Sequence, residues 1–263
     1  MNELEPMRDC CIPDKASSRG TQYDINRYIF ASKFVEGKTV VDVACGVGYG
    51  SSYLGRKGAK EAIGGDLAKD TIEYARAHYA RKELYFVQID ATSLPFPDAC
   101  FDVVVSFETI EHLRDYRRFL FECGRVLKRG GLFICSTPNR RRFPFQPAKP
   151  LNPFHVQEFY IGEFEDLVKE YFTEVSLFYQ AQTLNGFIKS FIIPLVGRLL
   201  SALPKGEYIK QVIKGIIHCD TPYVKPGAEM LEEQIDKKYT VLPFEEKHFR
   251  LPFAIIAVAK KKH

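Results

Sequence analysis

The feature that most limits the fold is an alternation of short apolar runs with amphipathic segments, which begins near Lys38. Apolar runs of about six residues predict buried strands, and the segments between them have the spacing of helices with one apolar face. Strands that alternate with helices form parallel sheets, because each helix carries the chain back across the sheet. We therefore predict an α/β fold with a doubly wound, mostly parallel sheet of seven strands.

The predicted elements also locate a site. Strands are predicted at 39–44, 61–66, 84–89, 102–107, 132–137, 173–179 and 253–259, and helices near 24–31, 49–57, 69–81, 115–128 and 161–170. Ligands of doubly wound sheets bind outside the carboxyl ends of the strands, where the strand order reverses. The site is therefore expected at 42–50, 66–67, 90–92 and 107–112.

Two segments interrupt the alternation and suggest the domain boundaries. Residues 138–153 are rich in proline and arginine and long for a connection, which predicts a functional loop over the site. Residues 181–250 lie between the last two predicted strands and show helical periodicity at 187–203 and 208–218. We expect four parts, which are an N-terminal segment with a helix over the site (1–37), a ligand-binding core (38–180), a helical cap (181–250), and a final strand with a basic tail (251–263).

Composition favours a cytoplasmic protein and gives little support for a nucleic-acid partner, although it does not exclude one. The formal net charge is +4, and no basic stripe with interleaved aromatic residues is visible. Seven irregularly spaced cysteines predict reduced thiols, and the N-terminal stretch lacks the pattern of a secretory signal. The amphipathic stretch 187–218 is expected either to pack as a lid over the site or to contact a membrane surface peripherally.

A glycine-rich loop follows the first predicted strand, in VVDVACGVGYG. Gly46, Gly48 and Gly50 let the backbone turn sharply and bring its N–H groups close to a ligand. The G-x-G-x-G spacing differs from the G-x-G-x-x-G of dinucleotide sites, and Asp42 adds a carboxylate beside the loop. Both features favour an amine-bearing ligand over a diphosphate and argue against an NAD-dependent oxidoreductase.

Acidic residues end the next two predicted strands. Asp66 stands where a carboxylate can accept hydrogen bonds from both ribose hydroxyls of a nucleoside. Asp90 could accept from the exocyclic amine of an adenine, and it could equally cap a turn. A nucleoside ligand fits both acids, and a non-catalytic nucleoside-binding module is one function that would use them.

The order of these motifs resembles that of class I S-adenosylmethionine-dependent methyltransferases. The stretches are VDVACGVGYG, GGDLAKDTIEYA, IDATSLPFPDACFDVVVSFETIEHL and RVLKRGGLFICSTPN, within 24–180. The resemblance implies a Rossmann-like methyltransferase fold with S-adenosylmethionine as cofactor. It places the methionine end on the loop (Asp42, Ala44, Cys45, Gly46, Gly48 and Gly50), the ribose at Asp66 and Leu67, the adenine at Asp90, Ala91 and Thr92, and the amino group at the Phe107 carbonyl.

The stretch FETIEHL, residues 107–113, puts two glutamates and a histidine at the end of the fourth predicted strand. Glu111 and His112 can simply begin the next helix, or His112 can act as a metal-free general base. Alternatively, Glu108, Glu111 and His112 are metal ligands, because positions i, i+3 and i+4 share one face of a helical turn. His155 is then the fourth ligand, and this set suits Mn²⁺ or Fe²⁺, or else Mg²⁺ or Zn²⁺.

The E-x-x-E-H pattern also bears on the reaction. With a downstream histidine it resembles the metal-dependent small-RNA 3′-end methyltransferases, and ubiquinone-pathway O-methyltransferases show a similar pattern. We expect O-methylation of a small-molecule, sugar or lipid-linked acceptor, with His112 and Glu111 as catalytic residues. Methylation of an RNA 3′ end at the 2′ oxygen is the alternative. Arg140, Arg141 and Arg142 are interpreted either as a solvated loop or as a clamp for an anionic substrate.

Overall fold

The computed structural model describes residues 18–141, 150, 152–182, 239–243 and 254–262. Its strands are β1 (Thr39–Val43), β2 (Glu61–Asp66), β3 (Leu84–Gln88), β4 (Phe101–Phe107), β5 (Leu127–Pro138), β6 (Phe172–Gln182), β7 (Tyr239–Pro243) and β8 (Ala254–Lys261). Its helices are α1 (Ser18–Ala31), α2 (Tyr49–Arg56), α3 (Lys69–Tyr79), α4 (Tyr116–Val126) and α5 (Ile161–Tyr171), with 3₁₀ turns at Ser32–Phe34 and Ile110–His112.

The strands of the described residues form one sheet in the order β3-β2-β1-β4-β5-β8-β6-β7. The first five pair in parallel, and β8 lies between β5 and β6, antiparallel to both. All seven predicted strands form, so the prediction of a doubly wound, mostly parallel α/β sheet is confirmed. The strand order reverses between β1 and β4, which opens a crevice at the carboxyl ends of these two strands.

The sheet contains an eighth strand, β7, that was not predicted. It pairs antiparallel with β6, with Gln182 opposite Tyr239. β7 falls inside the predicted cap, 181–250, so this part of the cap segment belongs to the sheet. The predicted helices at 187–203 and 208–218 lie outside the described residues, as do residues 1–17, Arg142 and most of the loop at 138–153.

Helices cover both faces of the sheet. Because successive strand residues point to opposite faces, Val40 and Val103 join the core cluster that contains residues of α1, α2 and α3, while Val41 and Val104 join the cluster with α4 and α5. Burial on both faces explains why these strands are continuous apolar runs. No helix in the described parts of the chain is long and apolar enough to cross a membrane.

Candidate active site

A pocket of about 200 Å³ lies at the carboxyl ends of β1 to β4. These strands adjoin one another around the reversal point, so the turns that follow them meet at one edge of the sheet. The lining residues are Ala44, Asp66, Leu67, Ile89, Asp90, Ala91, Glu108, Thr109, His112 and Leu113. The pocket therefore draws on all four segments that the sequence indicated.

Two residues of the pocket wall have left-handed backbone conformations. Ala44 follows β1 with a φ of 61°, and Glu108 follows β4 with a φ of 51°. Such conformations cost residues other than glycine about 1–3 kcal/mol, and they concentrate at functional sites. Sequence patterns do not mark either position, because neither residue is a glycine or an asparagine.

Asp42 lies within β1, two residues before the pocket begins. Its carboxylate is buried and accepts hydrogen bonds from the Tyr28 hydroxyl at 3.1 Å and the Ser51 hydroxyl at 2.7 Å. Burial raises the pKa of Asp42 to about 7, against the lowering effect of the two hydroxyls. The carboxylate beside the loop was predicted, whereas its partners from α1 and α2 were not.

The glycines of the loop are required by packing as well as by backbone conformation. Gly46 and Gly48 have φ values of 54° and 88°. A Cβ on Gly48 would lie 2.6 Å from the Phe86 ring, and one on Gly50 would lie 2.0 Å from the Tyr28 ring. The loop is therefore held closely between α1 and β3. The neighbouring Cys45 is buried.

Asp66 ties two backbone segments together while keeping capacity for a ligand. Its Oδ2 accepts from the N–H of Gly46 at 2.9 Å, and its Oδ1 accepts from the N–H of Ala68 at 3.0 Å. Each carboxylate oxygen has a second lone pair, so two ribose hydroxyls could donate to the same group. The adjacent Leu67 is 67% exposed at the pocket, where it offers an apolar surface to a flat ring.

Asp90 is held in a tight turn by Thr92. The backbone N–H and the hydroxyl of Thr92 both donate to Oδ1 of Asp90, at 2.8 and 2.7 Å. These bonds lower the pKa of Asp90, so the carboxylate is ionised at neutral pH. Because Thr92 uses both lone pairs of Oδ1, an adenine amine would donate to Oδ2. Ala91 lines the pocket beside it.

Phe107 ends β4. Its ring is buried and packs edge-on against Tyr28, with 5.1 Å between ring centroids. Its carbonyl accepts a hydrogen bond from the Thr109 hydroxyl at 3.1 Å. The second lone pair of this oxygen is available in principle to an amino group.

Arg27 is a buried cation beside the pocket that the sequence did not single out. Its Nη1 lies 2.6 Å from Asp24, and its Nη2 lies 3.4 Å from Oε2 of Glu108. The other oxygen of Glu108 accepts from the Ser136 hydroxyl at 2.8 Å. Both oxygens of Glu108 therefore face partners other than Glu111 and His112.

Glu111, His112 and His155 converge at the end of the pocket. One candidate ligand atom from each residue lies within 4.8 Å of the others. The N–H groups of Val156 and Gln157 donate to the Glu111 carbonyl at 2.8 and 3.2 Å, which brings the downstream segment to the turn after β4. Of the four predicted metal ligands, the structure thus groups three, and Glu108 lies outside this group.

Contacts to the two histidines indicate their tautomers. Nδ1 of His112 is 3.1 Å from the Phe154 carbonyl, and Nδ1 of His155 is 2.8 Å from the Glu158 carboxylate. A carbonyl oxygen only accepts, so Nδ1 of His112 carries a proton, and in the neutral ring Nε2 therefore carries the lone pair. Glu158 plays the corresponding part for His155. The sequence signal for Glu158 was its position three residues after His155.

Glu111 is an acid with one orphaned oxygen. The Thr137 hydroxyl donates to Oε2 at 3.1 Å, while Oε1 has no hydrogen-bond partner within the described part of the chain. Burial, and next the charge of Glu108, raise the pKa of Glu111 well above its usual range. Oε1 is 4.0 Å from Nε2 of His112. This distance is too long for a direct hydrogen bond and leaves room for a bridging cation or water.

Comparison with known proteins gives a consistent result. Residues 41–135 match a family of methyltransferase domains. A probable S-adenosylmethionine-dependent methyltransferase of Mycolicibacterium smegmatis is 41% identical over 51% of this chain and 51% of its own length. A fatty-acid O-methyltransferase of the same organism is 40% identical over 49% of this chain and 48% of its own length. The fold matches that of a SAM-dependent methyltransferase from Thermotoga maritima (TM-score 0.58, 16% identity, 92% of both chains).

The match over residues 41–135 and the fold both agree with the resemblance to class I S-adenosylmethionine-dependent methyltransferases that the sequence motifs carry. The chain spans about half the length of the curated relatives it matches, so the similarity does not specify an acceptor.

Proposed function

We propose that the chain transfers a methyl group from S-adenosylmethionine to a hydroxyl oxygen of an apolar, lipid-like acceptor. The observation that carries this proposal is a pair of exposed apolar side chains beside His112. Phe154 and Val156 are 53% and 51% exposed, and the Phe154 carbonyl contacts the His112 ring. An apolar chain that covered them would gain about 25 cal/mol per Å² of surface removed from water. The similarity to a fatty-acid O-methyltransferase supports an apolar acceptor.

The charges at this end of the pocket favour a hydroxyl over a carboxylate as the acceptor group. Glu108 lines the pocket, and Glu111 lies next to His112, which also lines it. Arg27, the cation beside them, is buried and already paired with Asp24 and Glu108. An acceptor carboxylate would add a third acid beside Glu108 and Glu111. Like charges at short range disfavour ionisation, so binding an ionised acceptor there would be unfavourable.

The residues of the pocket can carry out the proton transfer that a hydroxyl acceptor requires. S-adenosylmethionine supplies a methyl group on a sulfonium, and the sulfur keeps the electron pair when the O–CH₃ bond forms. The proton of the hydroxyl must then leave, and we assign its removal to Nε2 of His112. Phe154 holds the ring in the required tautomer through Nδ1. Oε1 of Glu111 lies 4.0 Å from Nε2, so the positive charge of the protonated ring would favour the ionised form of Glu111, which would in turn stabilise the ring.

The test measures methyl transfer to acceptors that differ only in head group or chain length. We expect a long-chain alcohol to be methylated, a fatty acid of equal length to be a poorer substrate, and a short alcohol to have a higher KM. Phe154→Ala should raise the KM of the long-chain alcohol roughly 10-fold, because about 1.5 kcal/mol of apolar contact is lost. Phe121→Ala is the control, because Phe121 is 48% exposed on α4 and does not line the pocket.

Two outcomes would contradict this function. Transfer to the fatty acid but not to the alcohol would exclude a hydroxyl acceptor. A KM that is independent of chain length, in both the wild type and Phe154→Ala, would exclude an apolar contact at Phe154.

A divalent cation is a second candidate for this site, favoured by the orphaned oxygen of Glu111. Glu111, His112 and His155 would hold it, and the Nδ1 contacts of the two imidazoles are those expected of metal-bound histidines. Glu108 would stay with Ser136 and Arg27. Mn²⁺, Fe²⁺, Mg²⁺ or Zn²⁺ in this position would polarise the acceptor hydroxyl as a Lewis acid.

Isothermal titration of chelator-treated protein with Mn²⁺, Mg²⁺ and Zn²⁺ tests the cation. We expect binding that His155→Ala and Glu111→Gln abolish and that Glu108→Gln retains. Absence of binding in the wild type would exclude the metal site, and so would binding of wild-type affinity in His155→Ala and Glu111→Gln. Either result would leave His112 as a metal-free base.

A further inference from the structure

Arg125 of α4 makes a hydrogen bond with every N–H group of its side chain. A guanidinium has five such groups. Nε and Nη2 donate to the two oxygens of Glu122 at 3.1 and 2.7 Å, and Nη2 also donates to the Leu94 carbonyl at 2.9 Å. Nη1 donates to the Phe96 carbonyl at 2.7 Å and to Asp98 at 2.8 Å. One side chain therefore binds three residues of the segment between β3 and β4.

Glu122 completes this clamp. Its Oε2 accepts from the Leu94 N–H at 2.9 Å, so both backbone polar groups of Leu94 are bound by the Glu122–Arg125 pair. Glu122 is only 2% exposed, and a carboxylate so buried requires paired donors of this kind. The Leu94 side chain is also buried, in the same core cluster as α4. The Glu122–Arg125 pair accepts from the N–H of Leu94 and donates to its carbonyl, as the backbone of a neighbouring strand would.

The fixed residue directly follows the turn at the pocket. The Ser93 N–H donates to the Asp90 carbonyl at 3.0 Å, which closes a tight turn from Asp90 to Ser93. At its other end, the Ile89 N–H donates to the Asp66 carbonyl at 2.9 Å. The turn is therefore anchored to β2 on one side and, through Leu94, to α4 on the other.

We propose that Arg125 and Glu122 are positioning residues for donor binding. They hold the Asp90 turn in the conformation that receives the adenine, without touching the ligand. A binding loop that is already ordered loses less conformational entropy on binding, which raises its affinity. This inference rests on the expected contact between adenine and the Asp90 turn, which Asp90→Ala tests separately.

The experiment compares Arg125→Met with Arg117→Met by isothermal titration with S-adenosylhomocysteine and with 5′-methylthioadenosine. Arg117 lies on the same helix and pairs with Glu170 of α5, away from the pocket. We expect Arg125→Met to raise both dissociation constants about 10-fold, and Arg117→Met to change them less than about twofold. At saturating donor, kcat should be unchanged in both variants, because neither residue lines the acceptor end.

A lower melting temperature in Arg125→Met with unchanged dissociation constants would mean that the clamp is only structural, and would overturn the proposal. If Arg125→Met does not fold, Glu122→Gln provides the same comparison, because its amide would direct N–H groups at Arg125 and Leu94. Weak binding in Asp90→Ala but not in Arg125→Met would reject the clamp and keep the adenine contact. Wild-type affinity in both Asp90→Ala and Arg125→Met would show that the adenine does not contact the Asp90 turn.

Discussion

The Tyr28 hydroxyl of α1 lies 3.1 Å from Oδ2 of Asp42 in β1 and joins the helix to the sheet beneath the glycine loop. Tyr28 is 6% exposed and Asp42 is 1% exposed, so this bond forms in the interior of the domain. An ionised carboxylate is costly in such a place even with two hydroxyl donors. Asp42 therefore places beside the glycine loop a group whose ionisation lowers the stability of the folded protein.

We expect Asp42→Asn to stabilise the ligand-free protein above neutral pH. Burial raises the folded-state pKa of Asp42 to about 7, so its contribution to stability is complete below the unfolded-state pKa near 4 and is lost as the pH rises through 7. Asparagine does not ionise, and the variant should be about 1–2 kcal/mol more stable than the wild type at pH 8. Urea denaturation at pH 5 and pH 8 measures this, and parallel pH profiles for both proteins would contradict it.

Gly50→Ala should destabilise the protein by about 1–3 kcal/mol, because the new methyl group would overlap the Tyr28 ring. Tyr28→Ala vacates that space, so adding Gly50→Ala to it should cost much less. A double-mutant cycle by thermal unfolding gives the coupling energy. Additive effects of the two substitutions would show that the close contact is not what requires glycine.

Asp66→Asn should weaken S-adenosylhomocysteine binding about 10- to 150-fold. The loss of a charged acceptor for the ribose hydroxyls corresponds to roughly 1.5–3 kcal/mol. Asp70→Asn is a matched control, since Asp70 is exposed in the first turn of α3. Isothermal titration of both variants measures the difference, and equal affinities would place the ribose elsewhere.

Glu158→Ala should lower kcat by about 10-fold or more while donor affinity stays constant, because His155 would lose the partner of its Nδ1. Glu163→Ala is the control, since Glu163 caps α5 through the Tyr160 N–H and does not contact His155. Steady-state kinetics combined with donor titration separates the two effects. An equal loss of kcat in both variants would point to general destabilisation of this segment.

Seven of the eight strands, and the acidic residues at the ends of β2 and β3, could be located from the sequence. The alternation of apolar runs is a local signal, and Asp66 and Asp90 follow directly from where predicted strands stop. β7 was missed because five residues, YTVLP, carry too little periodicity to mark a strand.

Contacts between residues far apart in sequence could not be predicted. Arg27 reaches Glu108 from a helix about eighty positions earlier, and nothing in DINRYIFA marks one arginine as buried. Arg125 and Glu122 have the i,i+3 spacing of an ordinary solvated pair on a helix. Their role depends on Leu94, which the fold brings to them.

The pairing of Gln182 with Tyr239 has an evolutionary consequence. Gln182 and Tyr239, which flank residues 183–238, lie opposite each other on the edge of the sheet where the parallel strands end. Related genes could therefore lengthen, shorten or exchange this segment without altering the register of β5, β8 and β6. Such modularity would let one donor-binding core be paired with many acceptor specificities, and a chimera that exchanges only this segment should still bind the donor.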